Sequence, residues 1–287
     1  MINTYSFNTL NKVSEQEIKD SFIDAFQDYS IHFSAGDISR MLQRRGYISE
    51  LSFGAYHNEK LVSFIPNSID GYNGVLTAYN IGMGTRKAYQ KEGLIHQTFE
   101  YALPILRKHG VKTYQLEVSQ ENEAALKIYQ KRNFKITRNF NCYHAETDLI
   151  SQITARDISL IEIPLSVFMQ EIKFDTIWDF NPSWQNSLNS IMRDSDNLVC
   201  TLAMNVNHII GYIVYEPLSG DLIQLGTYPQ FRERGVATAL LKNAAQNCSS
   251  PTVKMLNIDD ASESMNGFLK KHQFDLITKR YEMKRTL

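Results

Sequence analysis

The stretch G-T-R-K-A-Y-Q-K-E-G-L-I at residues 84–95 sets the organisation of this chain of 287 residues. It follows an apolar run that predicts a strand from residue 75 to about residue 83, and it precedes a helical pattern that stops at Gly110. The apolar run V-K-T-Y-Q-L-E-V at 111–118 predicts the next strand, and N-E-A-A-L-K-I-Y-Q-K-R-N-F at 122–134 predicts another helix. In a strand–helix–strand unit of this kind the two strands run parallel.

The loop at the first junction offers a place for an anion. Gly93 stands where the helix begins, so the amides around it have no acceptor inside the helix. Those amides and the positive end of the helix dipole favour a pyrophosphate. One glycine before a helix is also typical of an ordinary tight turn, so this loop alone leaves both interpretations open.

The same pattern occurs a second time. The stretch G-T-Y-P-Q-F-R-E-R-G-V-A at residues 226–237 repeats the first loop 142 positions later, and V-K-M-L-N-I-D at 253–259 repeats the second strand at the same spacing. The segment that ends at Phe274 repeats the one that ends at Phe134. A match that keeps its register over so many residues indicates a duplicated unit with two loops of one design.

Composition excludes several classes of protein. A hydrophobic content of 43% is ample for packed cores, and a net charge of −1 gives no reason to expect a nucleic acid or an anionic membrane as partner. The first residues lack a signal-peptide pattern and no stretch reaches transmembrane length, so we expect a cytoplasmic protein. Three widely spaced cysteines and seven scattered histidines predict neither a disulfide framework nor a metal site.

The repeated motif resembles that of the GNAT N-acetyltransferase superfamily. The pattern R/Q-x-x-G-x-G/A after a strand, followed by L-E-V, N-x-x-A, an aromatic residue and a final Phe, carries the resemblance, and the likeness covers both halves. The resemblance implies an α/β (α+β) fold of two tandem GNAT-like domains. Each domain is expected to be a mixed, mostly antiparallel sheet flanked by helices, with a splayed pair of parallel strands. We expect an N-terminal catalytic domain at residues 1–148 and a degenerate or accessory domain at residues 149–287.

The resemblance also implies acetyl-CoA as co-substrate and no metal. Its pantetheine arm would enter the gap between the splayed strands, and its pyrophosphate would lie on the loop amides. The positions implied for this role in the first half are Met83, Gly84, Thr85, Gln90, Lys91, Glu92, Gly93, Leu94, Ile95 and Asn122. Those in the second half are Thr227, Arg232, Arg234, Gly235, Val236 and Ala237. Ile95 departs from the family pattern, which has a small residue there, whereas residues 232–237 fit it fully.

Two residues of the first half are implied to carry the chemistry. The spacing of Glu117, Asn122 and Tyr129 is similar to that of ribosomal-protein N-terminal acetyltransferases, in which the Glu acts as base and the aromatic position protonates the CoA thiolate. Each residue also has a structural interpretation: a solvated strand carboxylate, a helix N-cap and a packed aromatic ring. In the second half Asp259 and Leu269 occupy the positions of Glu117 and Tyr129, so we expect catalysis in the first half.

The sequence thus predicts an acetyl-CoA-dependent N-acetyltransferase in which a primary amine attacks the acetyl group directly. The acceptor is a small-molecule amine or a peptide N terminus, with the loop at residues 29–33 as a candidate wall of its groove. We expect no nucleic acid and no membrane as partner, and a homodimer is left open. Two alternatives remain: a non-catalytic acetyl-CoA-binding sensor, and a binding module on a GNAT scaffold that has lost its activity.

Overall fold

The structure is a computed structural model that describes residues 4–28 and 34–287. The described chain forms two compact units, and both are built from separate stretches of sequence. The first unit contains the residues up to Glu117 together with Ile128–Lys135 and Met283–Leu287, and the second contains Val118–Lys127 and Ile136–Glu282. A division of the sequence repeat after residue 148 stays a prediction.

The helices and strands are numbered in chain order. Those up to residue 131 are β1 (Ser6–Thr9), α1 (Glu15–Phe26), α2 (Ala35–Arg45), β2 (Phe53–His57), β3 (Lys60–Ile65), β4 (Asn67–Tyr72), β5 (Val75–Asn80), β6 (Gly84–Thr85), α3 (Leu94–Lys108), β7 (Thr113–Ser119) and α4 (Glu123–Lys131). Those that follow are β8 (Lys135–Glu146), α5 (Thr147–Ser151), β9 (Ser159–Ile163), α6 (Leu165–Glu171), α7 (Phe174–Ile177), α8 (Leu188–Arg193), β10 (Val199–Asn205), β11 (His208–Glu216), β12 (Asp221–Thr227), α9 (Val236–Gln246), β13 (Thr252–Asp259), α10 (Glu263–Lys271) and β14 (Asp275–Thr286).

In the first unit β5 and β7 run parallel, as the sequence predicts, with Ala78 opposite Tyr114. The prediction of one strand from residue 75 to about 83 is wrong, because β5 ends at Asn80 and the chain then leaves its partner. The short strand β6 pairs instead with β3, in a separate sheet ordered β1-β2-β3-β6. The separation of β6 from β7 is the expected splay of the parallel pair.

Close packing explains why a glycine starts β6. A Cβ atom at Gly84 would lie 2.7 Å from the ring of Phe64 and 2.8 Å from Ala25, which is closer than side chains approach one another. Gly84 therefore lets the chain cross directly over these two side chains to reach β3.

The aromatic residues of the repeated motif form part of the core of the first unit. Phe134 contacts the rings of Tyr114 and Phe99, with centroids 5.9 Å and 5.8 Å away, and Tyr114 meets Phe99 edge to face at 5.2 Å. The equivalent Phe274 is buried in the core of the second unit. The final Phe of each motif therefore packs its helix against the sheet.

The strands of the second unit lie in the order β14-β8-β13-β12-β11-β10-β9, with β14 included as far as Glu282 and β8 from Ile136 onward. Its parallel strands β12 and β13 are paired at one position, Asp221 opposite Lys254, where both strands begin. The Lys254 amide also donates to the carbonyl of Gly220 at 2.8 Å. Beyond this point the strands diverge, so the second unit is splayed as well. Among the described residues, no helix is both long enough and apolar enough to cross a membrane.

The close packing of Gly220, where β12 and β13 meet, leads to a prediction about stability. Gly220 has a φ of +68°, and a Cβ there would lie 2.1 Å from the carbonyl oxygen of Thr252. We expect Gly220→Ala to lower the free energy of unfolding by roughly 2–5 kcal/mol, because left-handed strain and overpacking add. Gly74→Ala is the matched control, since Gly74 has a φ of +76° and nothing within 4 Å of its Cβ position. Urea unfolding measures both, and equal losses would show that contact with Thr252 does not matter.

Candidate functional site

The two repeated loops have the same pattern of internal hydrogen bonds. Each begins with a short 3-10 turn that is closed by two backbone hydrogen bonds between equivalent residues. In the first loop they run from Tyr89 to Arg86 at 2.8 Å and from Gln90 to Lys87 at 3.4 Å; in the second they run from Phe231 to Tyr228 at 2.8 Å and from Arg232 to Pro229 at 3.3 Å. The duplication therefore extends from sequence to backbone geometry.

Both loops place alternate residues in the left-handed region. The φ angles are +68° at Lys91 and +72° at Gly93, and +60° at Glu233 and +86° at Gly235. Non-glycine residues are uncommon in this conformation, so its recurrence shows that the second copy has kept the loop. Turns of this kind direct successive amides into one concavity, and a helix begins immediately after each. Each loop therefore presents the group of amides that binds an anion at a helix N terminus.

The side chains of the predicted loop residues point in different directions. Leu94 and Val236 are 1% and 2% exposed, so they belong to the core and can offer only their amides. Lys91, Glu92 and Arg234 are exposed, and Ile95 and Ala237 are half-buried. The carboxylate of Glu92 accepts a hydrogen bond from the Tyr5 hydroxyl.

The first residue of each motif ties its loop to the preceding strand. The side-chain Nε2 of Gln90 donates to the carbonyl of Thr85 at 3.4 Å, and Nε of Arg232 donates to the carbonyl of Thr227 at 3.1 Å. A long side chain with an N–H donor meets this need, which is why Gln and Arg can occupy the same position. Their expected contact with acetyl-CoA stays a prediction.

The two threonines differ in what surrounds their hydroxyls. Thr85 pairs with Ser63 across β6 and β3, and their hydroxyl oxygens are 3.0 Å apart. Thr227 pairs with Gly211, which has no side chain to offer. In the part of the chain that the structure describes, the buried hydroxyl of Thr227 has no hydrogen-bond partner. A Cβ at Gly211 would lie 2.8 Å from the carbonyl oxygen of Gly226, so a serine does not fit there.

A cavity of about 450 Å³ lies between the diverging strands β12 and β13 of the second unit. This volume lies within the range of small-molecule pockets. Both diverging strands and both flanking helices line it, through residues that include Leu225, Thr227, Val236, Met255, Ile258 and Phe268. The space between β12 and β13, which we call the second cleft, is therefore a largely apolar pocket whose rim is the second loop.

An acidic residue that sequence reasoning missed closes the rim of this cleft. One carboxylate oxygen of Asp179 lies 2.6 Å from the guanidinium of Arg232, and the other accepts a hydrogen bond from Ser264 in the first turn of α10. Asp179 belongs to the irregular segment after α7, which carries no motif. No local sequence signal could therefore have connected it with the loop.

The predicted catalytic residues Glu117 and Tyr129 both belong to the first unit. Glu117 is half-buried on β7, and Tyr129 is half-buried on α4 with its ring 5.8 Å from that of Phe134. Asn122 falls in the stretch assigned to the second unit. Its side chain accepts from the amide of Ala125 at 3.1 Å, which confirms the N-cap interpretation. Its role with acetyl-CoA stays a prediction.

The equivalent positions in the second unit have different surroundings. Asp259 accepts from the amide of Ala261 at 3.2 Å and lies 3.8 Å from the guanidinium of Arg138. Leu269 is fully buried in the core. Neither a free carboxylate nor a proton donor therefore occupies the two positions.

Tyr212 lines the second cleft, and its hydroxyl is also unsuited to proton transfer. Burial raises the pKa of Tyr212 well above its ordinary value. Its hydroxyl donates to Gln224 at 2.7 Å and accepts from the indole of Trp178 at 2.8 Å, so both sides of the oxygen are engaged. Tyr212 consequently serves as a structural part of the cleft wall.

Among the described residues, no group of three or more His, Cys, Asp or Glu side chains could hold a metal ion. The loop at residues 29–33, a candidate wall of the acceptor groove, lies outside the described residues.

Comparison with protein families decides the assignment. The model of the acetyltransferase (GNAT) family matches residues 16–134 and residues 166–274. The chain belongs to the GNAT family and carries its domain twice. A search of curated proteins finds no match.

Solved structures share the complete architecture of this tandem GNAT protein. A tandem GNAT protein from the clavulanic acid biosynthesis pathway is 12% identical with a TM-score of 0.69, and the match covers 99% of this chain and 98% of that one. A GCN5-related N-acetyltransferase from Sphaerobacter thermophilus is 12% identical with a TM-score of 0.68, covering 98% and 95%. One from Anabaena variabilis is 14% identical with a TM-score of 0.63, covering 98% and 72%. At these identities the similarity establishes the fold.

The histidine at the end of α10 predicts a pH dependence of stability. Burial, with a further contribution from Lys271, lowers the pKa of His272, whose Nε2 lies 3.1 Å from the Thr238 hydroxyl. The unfolded chain therefore takes up a proton at its ordinary pKa of 6.5, before the folded chain does. Stability should fall as the pH drops below that value.

Urea unfolding across this pH range tests the effect. In His272→Gln the free energy of unfolding should fall less as the pH drops below the ordinary histidine pKa. His208→Gln, which replaces an exposed histidine, is the control and should keep the pH dependence of the parent protein. An equal pH dependence for His272→Gln and the parent protein would contradict the prediction.

Proposed function

We propose that this tandem GNAT protein transfers an acetyl group from acetyl-CoA to a primary amine, and that its first half performs the reaction. The observation that carries this proposal is the contrast between Tyr129 and Leu269. At the same position of the repeat, the first half has a half-buried phenol and the second has a fully buried hydrocarbon. Transfer from a thioester needs a proton donor for the departing thiolate, and a phenol can supply it.

The first loop fits the pyrophosphate of acetyl-CoA. Its amides converge at the start of α3, and the exposed Lys91 lies beside them. The space beside Gly93 is open, with nothing within 4 Å of its Cβ position. β6 and β7 belong to different sheets, and Glu117 lies on β7. This separation supports the proposal that the pantetheine arm lies between the two strands.

The proposed chemistry is a direct transfer. Acetyl-CoA supplies a thioester, and the neutral amine attacks its carbonyl carbon. Glu117, directly or through a water molecule, accepts the proton that the amine loses. Backbone amides at Met83, Gly84 and Thr85 polarise the carbonyl oxygen. The new N–C bond replaces the C–S bond, and Tyr129 protonates the thiolate to give CoA.

The second half is proposed to be an accessory copy. It retains the loop from Arg232 to Ala237 but has lost the proton donor, and Asp259 is engaged with Arg138 and a backbone amide. Retention of the loop in both halves is equally compatible with an alternative in which the whole protein senses acetyl-CoA without turnover. A panel of small amines and peptide N termini, with release of CoA and intact-mass detection of acetylated products, distinguishes the two. We place the reaction in the cytoplasm on the evidence of the sequence.

Acetyl-CoA binding is expected to depend on the two loops separately. Gly93→Val and Gly235→Val should each obstruct their own loop, because a valine is strained at positive φ and its side chain crowds the ligand. Calorimetry on both variants and on the double variant measures the sites one at a time. An intact protein that binds no acetyl-CoA would overturn the proposed function.

Tyr129→Phe is expected to lower kcat by about 10²–10⁴, because the variant loses a positioned acid, with little change in acetyl-CoA affinity. Leu269→Ala is the matched control at the equivalent position. It should reduce stability by roughly 2–5 kcal/mol through a cavity and leave kcat unchanged. Normal turnover by Tyr129→Phe, combined with no turnover by Gly235→Val, would assign catalysis to the second half.

A further inference from the structure

Asp179 connects the two walls of the second cleft. Its carboxylate contacts Arg232 on the loop side at 2.6 Å and Ser264 on α10 on the other side. The Asp179 side chain is 23% exposed and that of Arg232 is 35% exposed, so the ion pair is partly shielded from water. Such charge-assisted contacts are stronger than hydrogen bonds between neutral groups.

Internal acceptors occupy the guanidinium of Arg232. Besides Asp179, Arg232 donates to the carbonyl of Thr227 at 3.1 Å and to that of Ile177 at 3.5 Å. The equivalent Gln90 in the first loop is uncharged and donates to the Thr85 carbonyl. At this position of the motif the second loop therefore has a charged side chain where the first has a neutral one. The carboxylate of Asp179 contacts that charge.

The segment that carries Asp179 is fastened on both sides of it. The Trp178 indole donates to Tyr212 at 2.8 Å, and the carbonyl of Asn181 accepts from Arg138 at 2.5 Å. Residues 178–181, which we call the strap, thus hold the carboxylate over the rim of the cavity. Trp178, Asp179 and Phe180 of the strap line this cavity.

A second group covers the loop itself. A Cβ at Gly235 would lie 3.3 Å from the Cγ and Cδ atoms of Arg156, whereas the space at Gly93 is open. The aliphatic stem of Arg156 consequently packs directly against the second loop. The two loops have the same backbone geometry, but among the described residues a side chain packs against the glycine of the second loop and none against that of the first.

We propose that Asp179 is an internal competitor that holds the second cleft closed. Its carboxylate occupies the place on Arg232 that a phosphate oxygen of a CoA-type ligand takes when the cleft opens. This inference rests on the proposed function, because it assumes that the retained loop recognises a diphosphate. Carboxylate and phosphate bind a guanidinium in the same geometry, so the ligand exchanges one anion for another.

The exchange sets the affinity of the second cleft. A ligand must part Asp179 from both Arg232 and Ser264, so its apparent affinity is lowered by the fraction of molecules in which the strap is open. The cleft then responds only to a ligand that carries phosphate and also fills the apolar cavity behind it. Occupation of the second cleft would in this way release the strap.

Calorimetry with CoA in a Gly93→Val background, where the first loop is obstructed, tests the proposal. Asp179→Asn keeps the size of the side chain and removes its charge, and it should tighten CoA binding by about tenfold or more, as expected for loss of a hydrogen bond to a charged group. Ser264→Ala keeps the charge but removes the tie to α10, and it should tighten binding in the same direction. Asp175→Asn, which removes an exposed acid from α7, is the control for net charge.

Hydrogen exchange supplies a second measurement. On addition of CoA, peptides covering the strap should exchange faster in the Gly93→Val protein, and in Asp179→Asn they should exchange fast without ligand. The three variants are compared in the Gly93→Val background. The inference is overturned if Asp179→Asn and Ser264→Ala bind CoA no more tightly than Asp175→Asn, provided that the protein with an intact Gly93 binds CoA. Absence of CoA binding in the parent and in every variant would instead overturn the proposed function together with this inference.

Discussion

The fold depends on parallel strands that are hydrogen-bonded near one end and then part. Backbone amides and carbonyls must be paired or solvated, so strands that separate create edges that require a partner. In the second unit β12 and β13 pair where Asp221 faces Lys254, and the resulting gap becomes the cavity. In the first unit the chain leaves β5 after Asn80 and joins β3 through Gly84 and Thr85. The candidate sites exist because this pairing is incomplete.

Two copies of one motif have kept their backbone and diverged in their side chains. The loops agree in turn hydrogen bonds and in left-handed residues, and a helix follows each loop at the equivalent position. Their neighbours do not have to agree. Ser63 satisfies the Thr85 hydroxyl, whereas Gly211 leaves that of Thr227 without a partner among the described residues. The duplication thus preserved the backbone geometry of the loop and altered the groups around it.

Much of this arrangement could be predicted from the sequence. The helix start at Gly93 is a local signal, and it appears in the structure. The fold class and the duplication followed from a motif that keeps its spacing. The break after Asn80 was missed, because an apolar run does not reveal which sheet it joins. Asp179 was missed for a related reason: its partners are distant in sequence, and their encounter depends on tertiary packing.

The interleaving of the two units has a consequence for synthesis of the protein. The first unit includes Met283–Leu287, and the amide of Leu287 donates to the carbonyl of Lys112 at 2.9 Å. Domains generally fold in order as they emerge from the ribosome. Here the first unit cannot be completed until residues 283–287 have been synthesised, so its folding waits for the whole second unit to be made first. A nascent or prematurely terminated chain would consequently present the β7 side of its sheet without the residues that finish it.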